Sequence, residues 1–295
     1  MGIFRLGGLL NKILARQGLR FTITGWGYLN APHVCRQAEL HGMSVGNFLE
    51  IEDAKRDRRH FGRRDRIVER VLQACSLPED AYILEIGPGT ARYMEKILQR
   101  FPKSNYEIYE TAQDWVAYIK KTYGDRFRVI NQTTDGRTLS STKSASCDLV
   151  HAHAVFVYLP NCTTLSYLDE MARVCKSGGI IAFDVLSDSS FDVDILRKYI
   201  KEGHWFPVIF PETLVTQWAQ SHGLVLMDRF DEIHGAHKTT IRVCSRLLGG
   251  CYQEKRQCSC CEVLDDDCLI LCISIRCYNM LRHIREIVTG RCRAW

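Results

Sequence analysis

The sequence is short of the features that send a chain into or through a membrane. No apolar run in its 295 residues approaches the roughly 20 needed to cross a bilayer. No apolar segment near the start ends in a small-residue cleavage site, so no signal peptide is expected. Leu6 stands where a myristoylation signal needs Ser or Thr, which argues against that anchor. Net charge is also scarce. Lys and Arg number 39 against 34 Asp and Glu, a formal +5, which does not suggest a nucleic-acid-binding surface. Acidic residues are missing before Glu39, so part of the excess sits at a basic N-terminus. A disulfide framework is absent in pattern: of 14 cysteines eight fall at or after Cys251, and Cys35, Cys75, Cys147, Cys162, Cys175 and Cys244 are scattered. That distribution suits reduced thiols and a cytoplasmic location.

What the chain does have is concentrated in Tyr82-Ile-Leu-Glu-Ile-Gly-Pro-Gly-Thr-Ala-Arg92. The run 82–86 reads as a buried strand, and Gly87, Pro88 and Gly89 break it. From Tyr93 the spacing is helical. A strand that passes through a glycine turn into a helix start offers close backbone approach and unpaired N–H groups, a cradle for a nucleotide-like ligand. The dinucleotide fingerprint wants a third glycine where this chain has Arg92, which disfavours a nicotinamide-dependent dehydrogenase.

Further alternation surrounds this centre. Strands are predicted at 106–109, 127–130 and 180–185, with a fourth strand and its exit over 147–160, helices at 114–123 and 171–176, and a final strand pair at 224–230 and 239–245. Such alternation implies parallel pairing with helices on both faces, and ligands outside the carboxyl ends of the strands. Glu110 ends the second strand about 20 residues past the turn, where a carboxylate grips ribose hydroxyls in nucleotide-binding α/β folds; its plain alternative is an exposed helix cap. Asp135, before Gly136, could accept from an adenine amino group or bond its own backbone, as turn aspartates do.

The spacing Glu85-x-Gly87-x-Gly89-x-Ala91 resembles motif I of the class I S-adenosylmethionine-dependent methyltransferases, with alanine where glycine is usual. With Glu110, Asp135, the Asp148 strand and Lys176-Ser-Gly-Gly179, the resemblance runs from about Asp65 to Ser245. Tyr106–Trp115 and His151–Tyr158 look closest to bacterial methyltransferases found with glycan and lipid biosynthesis. The resemblance implies a Rossmann-like, doubly wound, mostly parallel seven-stranded sheet with an antiparallel edge strand. It implies that Glu85, Gly87, Pro88, Gly89, Thr90 and Ala91 hold the methionine moiety of S-adenosyl-L-methionine, Glu110 the ribose, and Asp135 with Gly136 the adenine region. Ala91 adds only a methyl group at the cofactor wall.

Methyl transfer is an in-line displacement in which the protein supplies positioning, desolvation and, for a hydroxyl, a general base. His153 and Asp184, on strand ends, are the candidate bases, and His153 also lies at the cofactor. Each has a structural alternative: a hydrogen-bonded neutral histidine, or a cap for the insertion 187–211. His151 and His153 lack a matching carboxylate or cysteine pair, so no metal is expected. Nucleic-acid amino-methyltransferases carry an Asn/Asp-Pro-Pro-aromatic segment where this chain has His153-Ala-Val-Phe156, which disfavours base methylation. The expected acceptor is therefore a hydroxyl of a sugar, lipid or small metabolite. A protein acceptor, or a binding module of the same fold without catalysis, remains the alternative.

Three regions organise the chain: a helical cap over 1–64, the cofactor-binding domain over 65–248, and a Cys-rich tail over 249–295. Residues 1–20 read either as a basic amphipathic helix in peripheral contact with an anionic membrane or as a terminal helix capping the domain. Residues 21–40 read as a loop, Ser44 as a helix cap, and 53–66 as the solvated face of a helix continuing through Leu72. In the tail, Cys258-Ser-Cys-Cys261 matches no zinc spacing.

Overall fold

The apolar run 82–86 forms strand β1 (Tyr82–Ile86), a buried interior strand of the sheet, as its pattern predicts. The computed structural model describes residues 31–202, 208–234 and 237–246. The chain divides into two units, 1–248 and 249–295, and every described residue belongs to the first. The expected helix at 1–20, His204, Trp205 and Phe206 of the insertion, and the Cys-rich tail lie outside the described residues.

Strands β2 (Asn105–Tyr109), β3 (Arg128–Asn131), β4 (Cys147–Ala152) and β5 (Cys175–Ser187) join β1 in parallel. A final hairpin of β7 (Leu224–His234) and β8 (His237–Arg246) completes the order β3-β2-β1-β4-β5-β8-β7. The expected strand pair thus forms the edge of the sheet. The strand running against the rest is β8, one place in from β7, because it pairs antiparallel with both β5 and β7. A two-residue strand β6 (Ile209–Phe210) in the insertion pairs with the end of β5.

Period-two alternation divides the strands between two cores. Leu84, Ile86, Val150 and Phe183 face helices α6 (Asn161–Val174) and α8 (Glu212–Ser221), meeting Met171 and Trp218. Ile83, Tyr106, Leu149 and Ile241 face the other side, with Ile67 of α3 (Arg63–Gln73), Met94 of α4 (Arg92–Arg100) and Ile119 of α5 (Gln113–Tyr123). Between β5 and β6, α7 spans Val193–Glu202, capped by Asp192, whose Oδ1 accepts from Ile195 N at 2.8 Å.

The N-terminal segment departs from expectation in two places. Residues 31–40 form helix α1 (Ala31–Leu40) rather than loop. Its first N–H, from Ala31, donates to Asp114 Oδ2 on α5 at 3.0 Å, a cap supplied from 83 positions away. Helix α2 (Val45–Arg56) starts at Ser44 as expected, with Asn47 N donating to Ser44 Oγ at 3.3 Å. The two helices bury Val34, Ala38 and Leu49 against Trp115 of α5. The charge run is not one solvated helix. Asp57 ends α2, Gly62 turns at φ +72°, and α3 begins at Arg63. Arg63 and Arg64 are buried, at 8% and 4% exposure.

Candidate active site

The carboxyl ends of β1, β2, β4 and β5 lie side by side, at the position where parallel α/β sheets have their ligand crevice. Of the candidates there, Glu85, Pro88, Gly89, Thr90, Ala91, Glu110, His153 and Asp184 are buried, Gly87 and Gly136 are half-buried and Asp135 is exposed. Beyond Ile86 the chain turns through Gly87 (φ +62°) and Gly89 (φ +47°) into α4. Gly87 N donates to Tyr109 O at 2.8 Å, tying the turn to β2. A Cβ on Gly87 would stand 2.8 Å from Val155 Cγ2, so only glycine lets the turn approach the exit of β4 this closely. Ala91 N donates to Pro88 O at 2.8 Å, and Thr90 is buried. Ala91 itself caps α4 at φ +59° and is fully buried. The alanine departure from the family pattern therefore carries backbone strain of about 1–2 kcal/mol, a cost separate from its methyl group.

Glu110 folds back onto this turn. Its Oε2 accepts from Gly89 N and its Oε1 from Ala112 N, both at 2.8 Å. Burial raises its pKa, and the backbone N–H donors partly oppose that rise. Asp135 is exposed and serves its own turn: Oδ1 accepts from Arg137 N (2.9 Å) and Thr138 N (2.7 Å), and Oδ2 from Thr138 Oγ1 (2.9 Å). Gly136 follows at φ +75°. Both carboxylate oxygens are thus engaged locally, the pattern the sequence left as the alternative to adenine contact.

Behind the turn lies a buried polar cluster. Tyr106 Oη donates to Glu85 Oε2 at 2.7 Å and stands 2.7 Å from His151 Nε2. Burial pushes Glu85 up to about 8 and His151 down to about 3. The His153 ring lies 5.3 Å from that of His151 and 4.8 Å from that of Tyr93. Burial, followed by the neighbouring His151 and Arg63, holds His153 well below the ordinary histidine range, and its buried Nδ1 has no hydrogen-bond partner. Asp184, fully buried, accepts from Ala154 N at 2.6 Å through Oδ1, and its Oδ2 faces Arg63 Nη2 at 3.7 Å. Ala154 is left-handed at φ +57°. Asp184 therefore fastens the strained turn whose next residue, Val155, closes on Gly87. Phe156 is core, whereas Tyr158 is exposed with its hydroxyl 2.9 Å from His234 Nε2.

Arg63 and Arg64 were hidden in the charge run. Arg64 joins α2, α3 and α4: its guanidinium lies 3.1 Å from Glu50 Oε2, 3.1 Å from Asp65 Oδ1 and 3.5 Å from Glu95 Oε2, and donates to Asn47 Oδ1 at 2.9 Å. The signal that could have found both is helical spacing. Arg63 and Arg64 stand four residues before Ile67 and Val68, on the inward face of α3. Among the described residues no group of three or more His, Cys, Asp or Glu could hold a metal. None of their helices is long and apolar enough to cross a membrane.

Known proteins resemble this chain in its central stretch and in its fold. A methyltransferase-domain family model matches residues 83–179. Malonyl-[acyl-carrier protein] O-methyltransferase 2 of Ilyobacter polytropus is 31% identical over 120 residues, covering 40% of this chain and 44% of that protein. The match thus spans under half the length of that relative. The tRNA N(3)-methylcytidine methyltransferase of Schizosaccharomyces pombe is 22% identical over 189 residues, covering 58% of this chain and 76% of that protein. Geranyl diphosphate C-methyltransferase of Streptomyces coelicolor, solved with Mg2+, geranyl diphosphate and S-adenosyl-L-homocysteine, shares the fold at TM-score 0.50 and 12% identity, covering 61% of this chain and 78% of that one. Residues 83–179 thus match a methyltransferase domain, and the fold is one that S-adenosylmethionine-dependent methyltransferases share. The acceptor does not follow from that likeness. With tRNA and ribosomal RNA methyltransferases among the relatives, the expectation that disfavours nucleic acid loses its support.

Proposed function

We propose that the protein transfers a methyl group from S-adenosyl-L-methionine to an oxygen of a sugar, lipid or other small metabolite. The observation that carries the reading is the Gly87–Ala91 turn with the Glu110 carboxylate folded onto it: a backbone cradle that a Cβ would fill, beside an acidic group. These groups suit the cofactor. Glu110 would hold the ribose, and Glu85 with residues 87–91 the methionyl end. When bound, the cofactor supplies a methyl group on an activated sulfonium.

The chain's own residues contribute position, desolvation and a proton acceptor. His153 is neutral because burial and Arg63 oppose its charging. A neutral imidazole can take the acceptor hydroxyl's proton as that proton becomes acidic during transfer, an effect worth about 10²–10⁴-fold. Asp184 acts as a positioning residue: it holds Ala154 N–H and so sets the turn between His153 and Val155. In this reading residues 1–64 cap the crevice, 65–248 form the catalytic domain and 249–295 an appendage, in a reducing, cytoplasmic setting. Liposome co-sedimentation with and without residues 1–20 tests peripheral membrane contact; equal partitioning removes it.

Incubation with methyl-labelled cofactor and fractionated cell extract tests the function itself. Label in small-molecule or lipid fractions, lost in His153→Ala, is the expected result. Label in RNA or protein overturns the acceptor class, and no label in any fraction overturns the transferase reading.

A further inference from the structure

Two consecutive buried arginines begin α3, and their surroundings differ. Arg64 meets three carboxylates and an amide oxygen. Arg63, at 8% exposure, donates only from Nη1, to Tyr93 Oη at 3.3 Å. Among the described residues its buried Nε and Nη2 have no hydrogen-bond partner, and the acid paired with it, Asp184, has its Oδ2 3.7 Å from Nη2, beyond hydrogen-bond distance. A desolvated guanidinium carries five N–H donors in a planar fork, and folded proteins pair such groups. The unused edge sits among Tyr93, His153 and Asp184, at the strand ends where the crevice lies.

We propose that Arg63 is the carboxylate-binding group of this crevice, its free Nε and Nη2 edge receiving the two oxygens of a bound carboxylate side by side. The proposal rests on the crevice being the cofactor and acceptor site. Two sources carry that chemistry: the α-carboxylate of the cofactor, and an acid group on the acceptor. Asp184, beyond hydrogen-bond distance, fixes the guanidinium without consuming the fork.

Calorimetric titration of the full chain separates the sources. Wild type, Arg63→Met and Arg63→Met/Asp184→Asn are each titrated with S-adenosylhomocysteine, its decarboxylated analogue, and malonate, the last with and without S-adenosylhomocysteine. The double variant removes both charges together and is read if the single variant does not fold. If the cofactor is the source, wild type binds S-adenosylhomocysteine about ten- to hundredfold tighter than the decarboxylated analogue, and the variants lose that preference. If the acceptor is the source, the two nucleosides bind alike and malonate binds wild type but neither variant. Equal binding of the nucleosides together with malonate binding that is absent, or unchanged in the variants, overturns the proposal while leaving the methyltransferase reading in place. Failure of S-adenosylhomocysteine to bind wild type counts against that reading, and malonate on the protein alone then decides the role of Arg63.

Discussion

Arg64→Met should loosen α2 from α3 and α4, and the structure sets the size of the effect. Three carboxylates surround this guanidinium, but they are unequal: Glu50 and Glu95 are 12% and 15% exposed, whereas Asp65 is 43% exposed and well screened. The cost therefore comes from leaving two mostly buried acids without their counter-charge. Removing one partner of a buried ion pair costs about 3–5 kcal/mol. Glu50 keeps a hydrogen bond from Gly62 N at 2.7 Å and Glu95 a long one from Ser44 Oγ at 3.4 Å, which places the loss near the lower end, about 3 kcal/mol. For a unit of this size that lowers the melting temperature by about 6–12 °C. Methionine preserves the side-chain length, so lost packing adds little. Circular dichroism melts of wild type, Arg64→Met and Arg64→Met/Glu50→Gln/Glu95→Gln give the comparison. The triple variant should recover at least half of the loss, because it removes the stranded charges with the arginine. A single-variant loss below about 1 kcal/mol, or no recovery in the triple, would show that α1 and α2 are held by their apolar contacts with Trp115 alone.

Gly87→Ala should destabilise the protein by about 1–3 kcal/mol, since it adds a left-handed alanine and a Cβ 2.8 Å from Val155; pairing it with Val155→Ala should relieve the clash but not the strain, as melts would record. Ala91→Gly should have the opposite sign and stabilise by about 1 kcal/mol, offset in part by the lost methyl contact in the core; a lower melting temperature would contradict the strain at φ +59°. Stability should fall as pH rises from about 6.5 to 8. Glu85 titrates near 8 when folded and near 4.5 when unfolded, so in that window the folded state binds more protons and loses about 2 kcal/mol. His151, lowered to about 3, has the opposite effect, adding stability as pH rises to its unfolded value of 6.5, and the two offset each other between about 4.5 and 6.5. Denaturant titrations of wild type and Glu85→Gln across pH 6–8.5 should show the falling limb in wild type only; the same limb in both would assign it elsewhere.

The parts of the fold that could be read from residues are those set locally. The strand 82–86, the break at Gly87, the Ser44 cap and the acid at the end of β2 each depend on neighbours within a few positions. What escaped depends on contacts far along the chain. Helix α1 needs Asp114 to cap it, and the left-handed Ala91 and Ala154 are set by the turns around them. Lys176-Ser-Gly-Gly179 falls within the bounds of β5 but outside its pairing with β4: the register passes from Cys147–Cys175 to Leu149–Ile180, and these four residues bulge with Gly178 at φ +79°. Arg63 and Arg64 were misread for a different reason. A run of charges is ordinarily solvated, and only the acids of α2 and α4, together with Asp184, make burial of two guanidiniums tolerable. Asp135 shows the converse, since an aspartate before glycine carries enough local chemistry to be satisfied by its own turn.

Calorimetric titration of S-adenosylhomocysteine into wild type and Glu110→Ala tests the central claim most directly, because the Glu110 carboxylate accepts from Gly89 N within the Gly87–Ala91 turn. Wild type should bind with a dissociation constant on the order of 1–100 μM, and removing two charge-assisted contacts should weaken it by about ten- to hundredfold. Absence of binding to folded wild type, or equal affinity in both proteins, would contradict the account.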